Sequence, residues 1–242
     1  VAVNSNSLDL ELSSSQYSSI TDVSQTGLDI TGDMTIMAWV KPESLSANHM
    51  VVSKRETTGN QRSYRFFVDS TGLVNFIGSS DGINQDITGS GSTTISTGVW
   101  NHIAIVYDNA GTLAFYLNTV ADGTVTGLPT SIFNGTAPFA IGADFAAGVA
   151  ADLFDGLVDE VRIFNRVLTA GDIVSFWKND IGDANLQGYW QLNNDYLDVT
   201  TNNNDLTATG SPVFSTDVPF ATYGAVGGIV FPASFGGPFV EF

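Results

Sequence analysis

The sequence predicts an all-β fold, two antiparallel sheets packed as a sandwich with one short helix, and three observations carry that prediction. Runs of alternating apolar and polar residues recur at short intervals, turn residues separate them, and good helix formers are few while Gly, Ser, Thr, Asn, Val and Phe abound. The first run, Ser7 to Leu12, sets Leu8, Leu10 and Leu12 on one face. Met34 to Val40 sets Met34, Ile36, Ala38 and Val40 opposite Thr35, Met37 and Trp39. Met50 to Lys54, Tyr64 to Asp69, Leu73 to Gly78, Trp100 to Tyr107, Thr112 to Leu117, Phe139 to Ile141 and Gly156 to Phe164 follow, which leaves His49 in a loop. Asp-Gly pairs at 81–82 and 122–123 and Asn-Gly at 134–135 punctuate them. Thr169 can cap a two-turn helix over Ala170 to Trp177, with Ile173, Val174, Phe176 and Trp177 as its apolar positions. Leu186 to Leu192 reads as another strand, and an Asn/Asp/Thr-rich loop runs from Asn193 to Asp205.

Composition narrows the function. The chain has 242 residues, a usual size for a single β-sandwich, and a domain of this size buries roughly 70–75% of the surface its unfolded chain exposes. With no cysteine, disulfides, Cys-ligated zinc and a thiol nucleophile are excluded. Eight basic residues face 25 acidic ones, a net charge of -17 at pH 7. Nucleic acid is therefore not expected as a partner, since phosphate binding needs clustered Lys and Arg. An acidic surface suits divalent cations instead. Val1 is not an initiator Met and no leader-like segment follows it, so the expectation is a processed, secreted or cell-surface protein. Ala221 to Val240 carries no charge, but five glycines with Pro232 and Pro238 argue against a transmembrane helix. Two extended segments are expected there, Val226–Phe231 and Pro238–Phe242.

The segment from Phe154 to Thr169, Phe-Asp-Gly-Leu-Val-Asp-Glu-Val-Arg-Ile-Phe-Asn-Arg-Val-Leu-Thr, resembles the closing signature of laminin-G-like domains of the concanavalin A-like jelly-roll kind. Three further landmarks stand in that family's order: Trp39-Val40-Lys41-Pro42, Trp100-Asn101-His102-Ile103-Ala104, and Phe115-Tyr116-Leu117-Asn118, where Thr119 replaces the family's usual Gly. The resemblance covers roughly residues 7–180 and implies a jelly-roll sandwich. Gly188 to Leu192, the Asn/Asp loop and Gly210 to Phe214 resemble the family's opening segment, yet here they follow the closing helix. Either the domain is circularly permuted, or the segment belongs to the next domain or molecule. The expected organisation is a sandwich over 1–220, its opening segment displaced to 186–220, and an apolar tail over 221–242 that docks on its own body or on a neighbour.

Catalysis is not expected. The acidic group Asp152, Asp155, Asp159 and Glu160 lacks the Glu-x-Asp-x-x-Glu strand of glycosidases with this fold, and the adjacent Asp159 and Glu160 should point to opposite faces of a regular strand. The resemblance implies a structural calcium ion on Asp159, with Asp155 and, from the Asn/Asp loop, Asn193, Asn194, Asp195 or Asp198 as further oxygen ligands. The competing reading is that Asp159 pairs with an arginine or accepts turn amides while the loop is solvated. His102 should pack in the core, as should Trp39, Trp100 and Trp190, with Trp177 packing the helix; exposed, they would instead stack on sugars. Asn134-Gly135-Thr136 fits a glycosylation acceptor.

Two functions remain open. One is an extracellular structural or adhesive subunit that self-associates into filaments or a surface layer by head-to-tail strand exchange, its assembly surface being the tail residues Val226, Ile229, Val230, Phe231, Phe235, Phe239, Val240 and Phe242. The other is a lectin-like carbohydrate-binding module that takes surface glycans.

Overall fold

The computed structural model describes residues 3–179 and 182–223; the tail positions from Val226 to Phe242 lie outside them. Seventeen strands form among the described residues. In chain order they are β1 (Ser7–Leu10), β2 (Tyr17–Ile20), β3 (Met34–Pro42), β4 (His49–Glu56), β5 (Gln61–Val68), β6 (Val74–Gly78), β7 (Ile87–Ser90), β8 (Asn101–Asp108) and β9 (Thr112–Leu117). Then come β10 (Val120–Thr126), β11 (Phe139–Ile141), β12 (Asp144–Ala146), β13 (Val149–Ala151), β14 (Gly156–Phe164), β15 (Leu186–Trp190), β16 (Thr207–Thr209) and β17 (Val213–Ser215), with helix α1 (Ala170–Phe176) between β14 and β15. One sheet runs β10-β9-β8-β3-β14-β1-β17, with β15 also on β14. The other runs β16-β2-β11-β4-β5-β6-β7, with β12 and β13 attached at β4. The expected two-sheet antiparallel jelly-roll sandwich with one short helix is what the chain forms.

Alternation builds the core. Met34, Ile36, Ala38 and Val40 of β3 face Phe66, Phe76, Phe139 and Ile141 of the opposite sheet. The other face of β3 is also covered: Met37 packs with Ala104, Phe164, Ile173 and Phe176 beneath α1. Trp39 stacks on Trp177 at 5.8 Å and meets Phe220 at 6.0 Å. Trp39 is therefore buried as expected, but on the outer face rather than between the sheets. Trp190 lies between them, stacked on Phe139 at 4.9 Å. Trp100 is only half-buried, its indole N–H donating to Asp217 Oδ1 at 2.8 Å. Thr169 caps α1 through a two-way bond with Asp172, its hydroxyl accepting from the Asp172 N–H while its own N–H donates to that carboxylate.

His49 is not in a loop. It opens β4 opposite Val68, fully buried, with its ring edge-on to Phe154 at 5.9 Å. Polar strands escaped the pattern for a shared reason. β2, β7 and β10 are rich in Ser, Thr, Gly and Asp, and such residues signal turns until tertiary pairing overrides them. Ser7–Leu12 ends early as a strand, because Leu12 to Ser14 turns into a single 3-10 turn.

The displaced segment pairs within its own chain. β15 lies along β14 (Val161 opposite Trp190), β17 along β1 (Leu8 opposite Phe214), and β16 along β2 (Ser18 opposite Ala208), so residues 186–220 supply strands to both sheets. A bridge between Val3 and Thr222 brings the two ends of the described chain together.

Charge is buried at the centre of the first sheet. β14 is buried along its whole length, Asp159, Glu160 and Arg162 included. These two carboxylates do not take opposite faces as a regular strand requires. β14 bulges between Asp159 and Arg162, where Glu160 adopts φ +54°, and both carboxylates enter one polar cluster on the outer face. Arg162 donates to Glu160 Oε2 at 2.8 Å and to the carbonyls of Phe176 and Asn179. The phenols of Tyr189 and Tyr223 donate to the two oxygens of Glu160. Asp159 accepts from Asn4 Nδ2 at 2.8 Å and from the Glu160 N–H at 3.0 Å. The guanidinium thus pairs with Glu160, while Asp159 is held by neutral donors. Burial first, and the Glu160 charge second, push the Asp159 carboxyl well above the usual range. Burial also lowers the nearby His102 imidazole, to about 3, with the Arg162 charge adding to the effect.

Two measurements test this account. Trp190→Ala should cost about 3–5 kcal/mol by urea denaturation, as a core Trp truncation does; a loss near zero would mean that β15 is not part of this sandwich. Asp159→Asn tests the buried charge. Its new amide can face Asn4 if that side chain flips to present Oδ1, which has no hydrogen-bond partner now. A raised folded-state pKa favours the protonated native form. Its stabilisation is full below about pH 4 and is lost as pH rises through the folded-state value. The stability of wild type minus that of Asp159→Asn should therefore fall as pH rises from about 4 toward neutrality. A pH-independent difference would show that Asp159 titrates alike in both states.

Candidate functional site

Among the described residues the outer edge of β15 carries no further strand, and the way the chain satisfies that edge creates a cleft. The loop after β15 folds back and replaces a strand with side chains. Asp198 Oδ1 accepts the Tyr189 N–H at 3.0 Å, and the Val199 N–H donates to the Tyr189 carbonyl at 3.0 Å. Asn202 Nδ2 and Asn204 Nδ2 both donate to the Gln187 carbonyl, at 2.9 and 3.0 Å. The loop holds its shape through Asp198, whose carboxylate also accepts from the Thr200 N–H, the Thr200 hydroxyl and the Asn204 N–H. Asn204 in turn bonds both ways with the backbone of Thr26. Beside it Gly27 sits at φ +77°, where a Cβ would stand 2.2 Å from Gln187 Oε1.

The resulting cleft has a volume of about 550 Å³. Gln187 projects from β15, Gln191 stands just after it, Thr200, Thr201 and Asn202 come from the loop, and Asp183 belongs to the same lining. Val199, 53% exposed, adds an apolar surface. Tyr189 forms the floor, but its ring is 2% exposed and covered by the Arg162 guanidinium at 4.0 Å. It cannot stack on a ligand. Asp183 is held below the usual carboxylate range by its hydrogen bond from Arg166, whose guanidinium spans Asp183 at 2.8 Å and Asp172 at 3.1 Å. None of the eight basic residues of the chain lines the cleft. It offers amides, hydroxyls and one small apolar patch.

The structure disperses the residues expected to hold calcium. Asp155 accepts from the Ser44 hydroxyl at 2.6 Å and the Leu12 N–H at 3.2 Å, at the far end of β14 from Arg162. Asp152 pairs with Arg65 at 3.0 Å. Asp195 caps its own turn through the Leu197 N–H, Asn194 sits at φ +69°, and Asp198 is spent on the loop. Asn193 accepts from the Ser5 and Asn6 N–H groups and donates to the Tyr223 phenol. Among the described residues no group of three or more His, Cys, Asp or Glu side chains is close enough to hold a metal ion. Asn134 and Thr136 are exposed, as a modified asparagine requires. The cleft residues gave one sequence signal, the density of Asn, Asp and Thr in 193–205; that Gln187 and Gln191 face it depends on which edge β15 leaves open.

The family model of the concanavalin A-like lectin/glucanases superfamily matches residues 12–174. A candidate carbohydrate-binding protein from Bacteroides ovatus superposes with a TM-score of 0.65 at 16% identity, over 90% of this chain and 61% of that one. The chain thus spans less than two thirds of that relative's length. A heptameric SAP-like pentraxin from Limulus polyphemus gives 0.60 at 15% identity, over 88% of this chain and 96% of the pentraxin. The CBM40 domain of a Ruminococcus gnavus sialidase, bound to α2,3-sialyllactose, gives 0.54 at 17% identity, over 66% and 96%. Likeness at these identities is one of fold. No curated protein sequence matches the chain. The family match takes in all four landmarks, from Trp39 to the strand-and-helix signature that begins at Phe154, and the chain belongs to the concanavalin A-like lectin/glucanases superfamily in its laminin-G-like form.

Proposed function

We propose that this chain is a non-catalytic, lectin-like carbohydrate-binding module of a secreted or cell-surface protein, and that the cleft beside β15 is its glycan site. The observation that carries the reading is the lining: Gln187, Gln191, Thr200, Thr201 and Asn202 around the exposed Val199. Carboxamides and hydroxyls match the vicinal hydroxyls of a sugar, and a small apolar patch suits its C–H face. The similar folds support the same class, since two of them are described as carbohydrate-binding. Head-to-tail assembly draws no such support: β15, β16 and β17 pair within the chain, and the tail positions Val226 to Phe242 lie outside the described residues.

Hydrolysis does not suit the cleft. A glycosidase needs two carboxylates flanking the bond. Among the described residues Asp183 is the one acid in the lining and is tied to Arg166, while Asp159 and Glu160 lie buried beneath the sheet surface. The charge pattern also selects the ligand. With Arg166 committed to Asp172 and Asp183, Arg162 buried on Glu160, and a net charge of -17, the cleft favours neutral glycans over sialylated ones.

Titration calorimetry with neutral and sialylated oligosaccharides tests both points. Neutral glycans should bind, and Gln191→Ala and Thr201→Ala should each weaken that binding about 3- to 10-fold, the loss of a hydrogen bond of about 0.5–1.5 kcal/mol. Binding that ignores both substitutions would move the site elsewhere, a preference for sialylated glycans would overturn the charge argument, and silence from both classes would remove the function.

A further inference from the structure

Lys54 lies in β4 with its side chain 1% exposed. Its ammonium does not reach solvent but sits among four oxygens: Asp22 Oδ1 at 2.6 Å, Asp29 Oδ1 at 2.9 Å, and the carbonyls of Gly135 at 2.5 Å and Ala137 at 3.1 Å. An ammonium has three protons to give, so four acceptors surround it more closely than its hydrogen bonds alone would arrange. Two carboxylates and two backbone carbonyls, drawn from separate segments of the chain, are the donor chemistry of a hard divalent cation; calcium takes such oxygens at about 2.3–2.6 Å. The charge count agrees. One ammonium balances one of the two carboxylates, whereas a divalent ion would balance both. Asp29 is 37% exposed, so the cage opens to solvent on that side.

We propose that the Lys54 ammonium is the resident structural cation of this sandwich, filling a four-oxygen cage that takes calcium once the ammonium is removed. In place, it ties the 3-10 turn after β2, the loop bearing Asp29 and the segment leading into β11 to the middle of the second sheet. None of the residues implied as calcium ligands by the family resemblance takes part. The sandwich has its cation here covalently attached, and at this position it owes nothing to free calcium.

The test is thermal unfolding of wild type, Lys54→Met and Lys54→Met/Asp22→Asn, each in EDTA and in millimolar calcium chloride, with calcium titrated calorimetrically. Lys54→Met should unfold at a lower temperature than wild type in EDTA. Calcium should then raise its midpoint by more than it raises that of wild type, with a saturable heat for one ion, and the added Asp22→Asn should abolish both effects. A folded Lys54→Met whose midpoint responds to calcium no more than wild type does would overturn the proposal. Should Lys54→Met fail to fold in either buffer, Asp29→Asn in the wild-type background decides. A lower midpoint sustains the caged cation, and an unchanged one overturns it.

Discussion

The interaction on which the rest of this structure depends is the buried ion pair between Arg162 and Glu160 in the middle of β14. A strand buried on both faces would ordinarily be apolar throughout. β14 instead carries three ionisable side chains, and each must find partners or cost several kcal/mol of desolvation. Those partners come from every part of the fold: Asn4 from the N-terminal segment, Tyr189 from β15, the Phe176 carbonyl from α1, and Tyr223 from the last described turn of chain. A buried pair of this kind is weak evidence for stability, because an apolar replacement is often as stable. Its consequence is positional. The outer face of the sheet is covered by the segments that satisfy Glu160 and Arg162.

That constraint bears on the displaced opening segment. A permuted sandwich must hold its late strands against early ones without a covalent turn to set their register. Here the register is set by side chains. Tyr189 is anchored at Glu160, Gln16 donates to the carbonyls of Gly210 and Ser211, and the Asn6 amide reaches the Ser215 carbonyl. Tyr223 holds the far end, with Phe220 packed on Trp39 and Tyr223 edge-on to Phe220 at 5.5 Å. The N- and C-terminal segments therefore converge on one face because both supply polar partners to the same strand.

The sequence disclosed those parts of the fold that local chemistry dictates. Strand-like runs identified β3, β8 and β14, and Thr169 gave the helix its start. What stayed hidden needed knowledge of tertiary neighbours. A bulge at Glu160 cannot be read from alternation, so Asp159 and Glu160 looked divergent when they share a cluster. Trp39 was expected in the core from its landmark position in the family resemblance; that α1 and residues 217–223 cover its face of the sheet is not written in the strand. The partners of the acids were likewise unreadable: Asp155, Asp159 and Asp198 each accept from different backbone or side-chain donors, and donor choice is decided by the folded geometry.

The cleft follows from the same economy of partners. An open sheet edge invites another strand, from a neighbour or from the chain itself, and proteins commonly blunt such edges with charge or cover. The edge of β15 is blunted by side chains: Asp198, Asn202 and Asn204 take up the backbone groups of Gln187 and Tyr189 that an added strand would have used. A loop that caps an edge with its amides cannot also lie flat along it, and the space left between is where Gln187, Gln191, Thr200 and Thr201 face one another. Satisfying this edge with loop side chains and opening a polar groove, with Asp183 as its one described charge, are thus one structural event. Among the described residues, the loop that satisfies the edge of β15 is also the one that shapes the groove proposed as the glycan site.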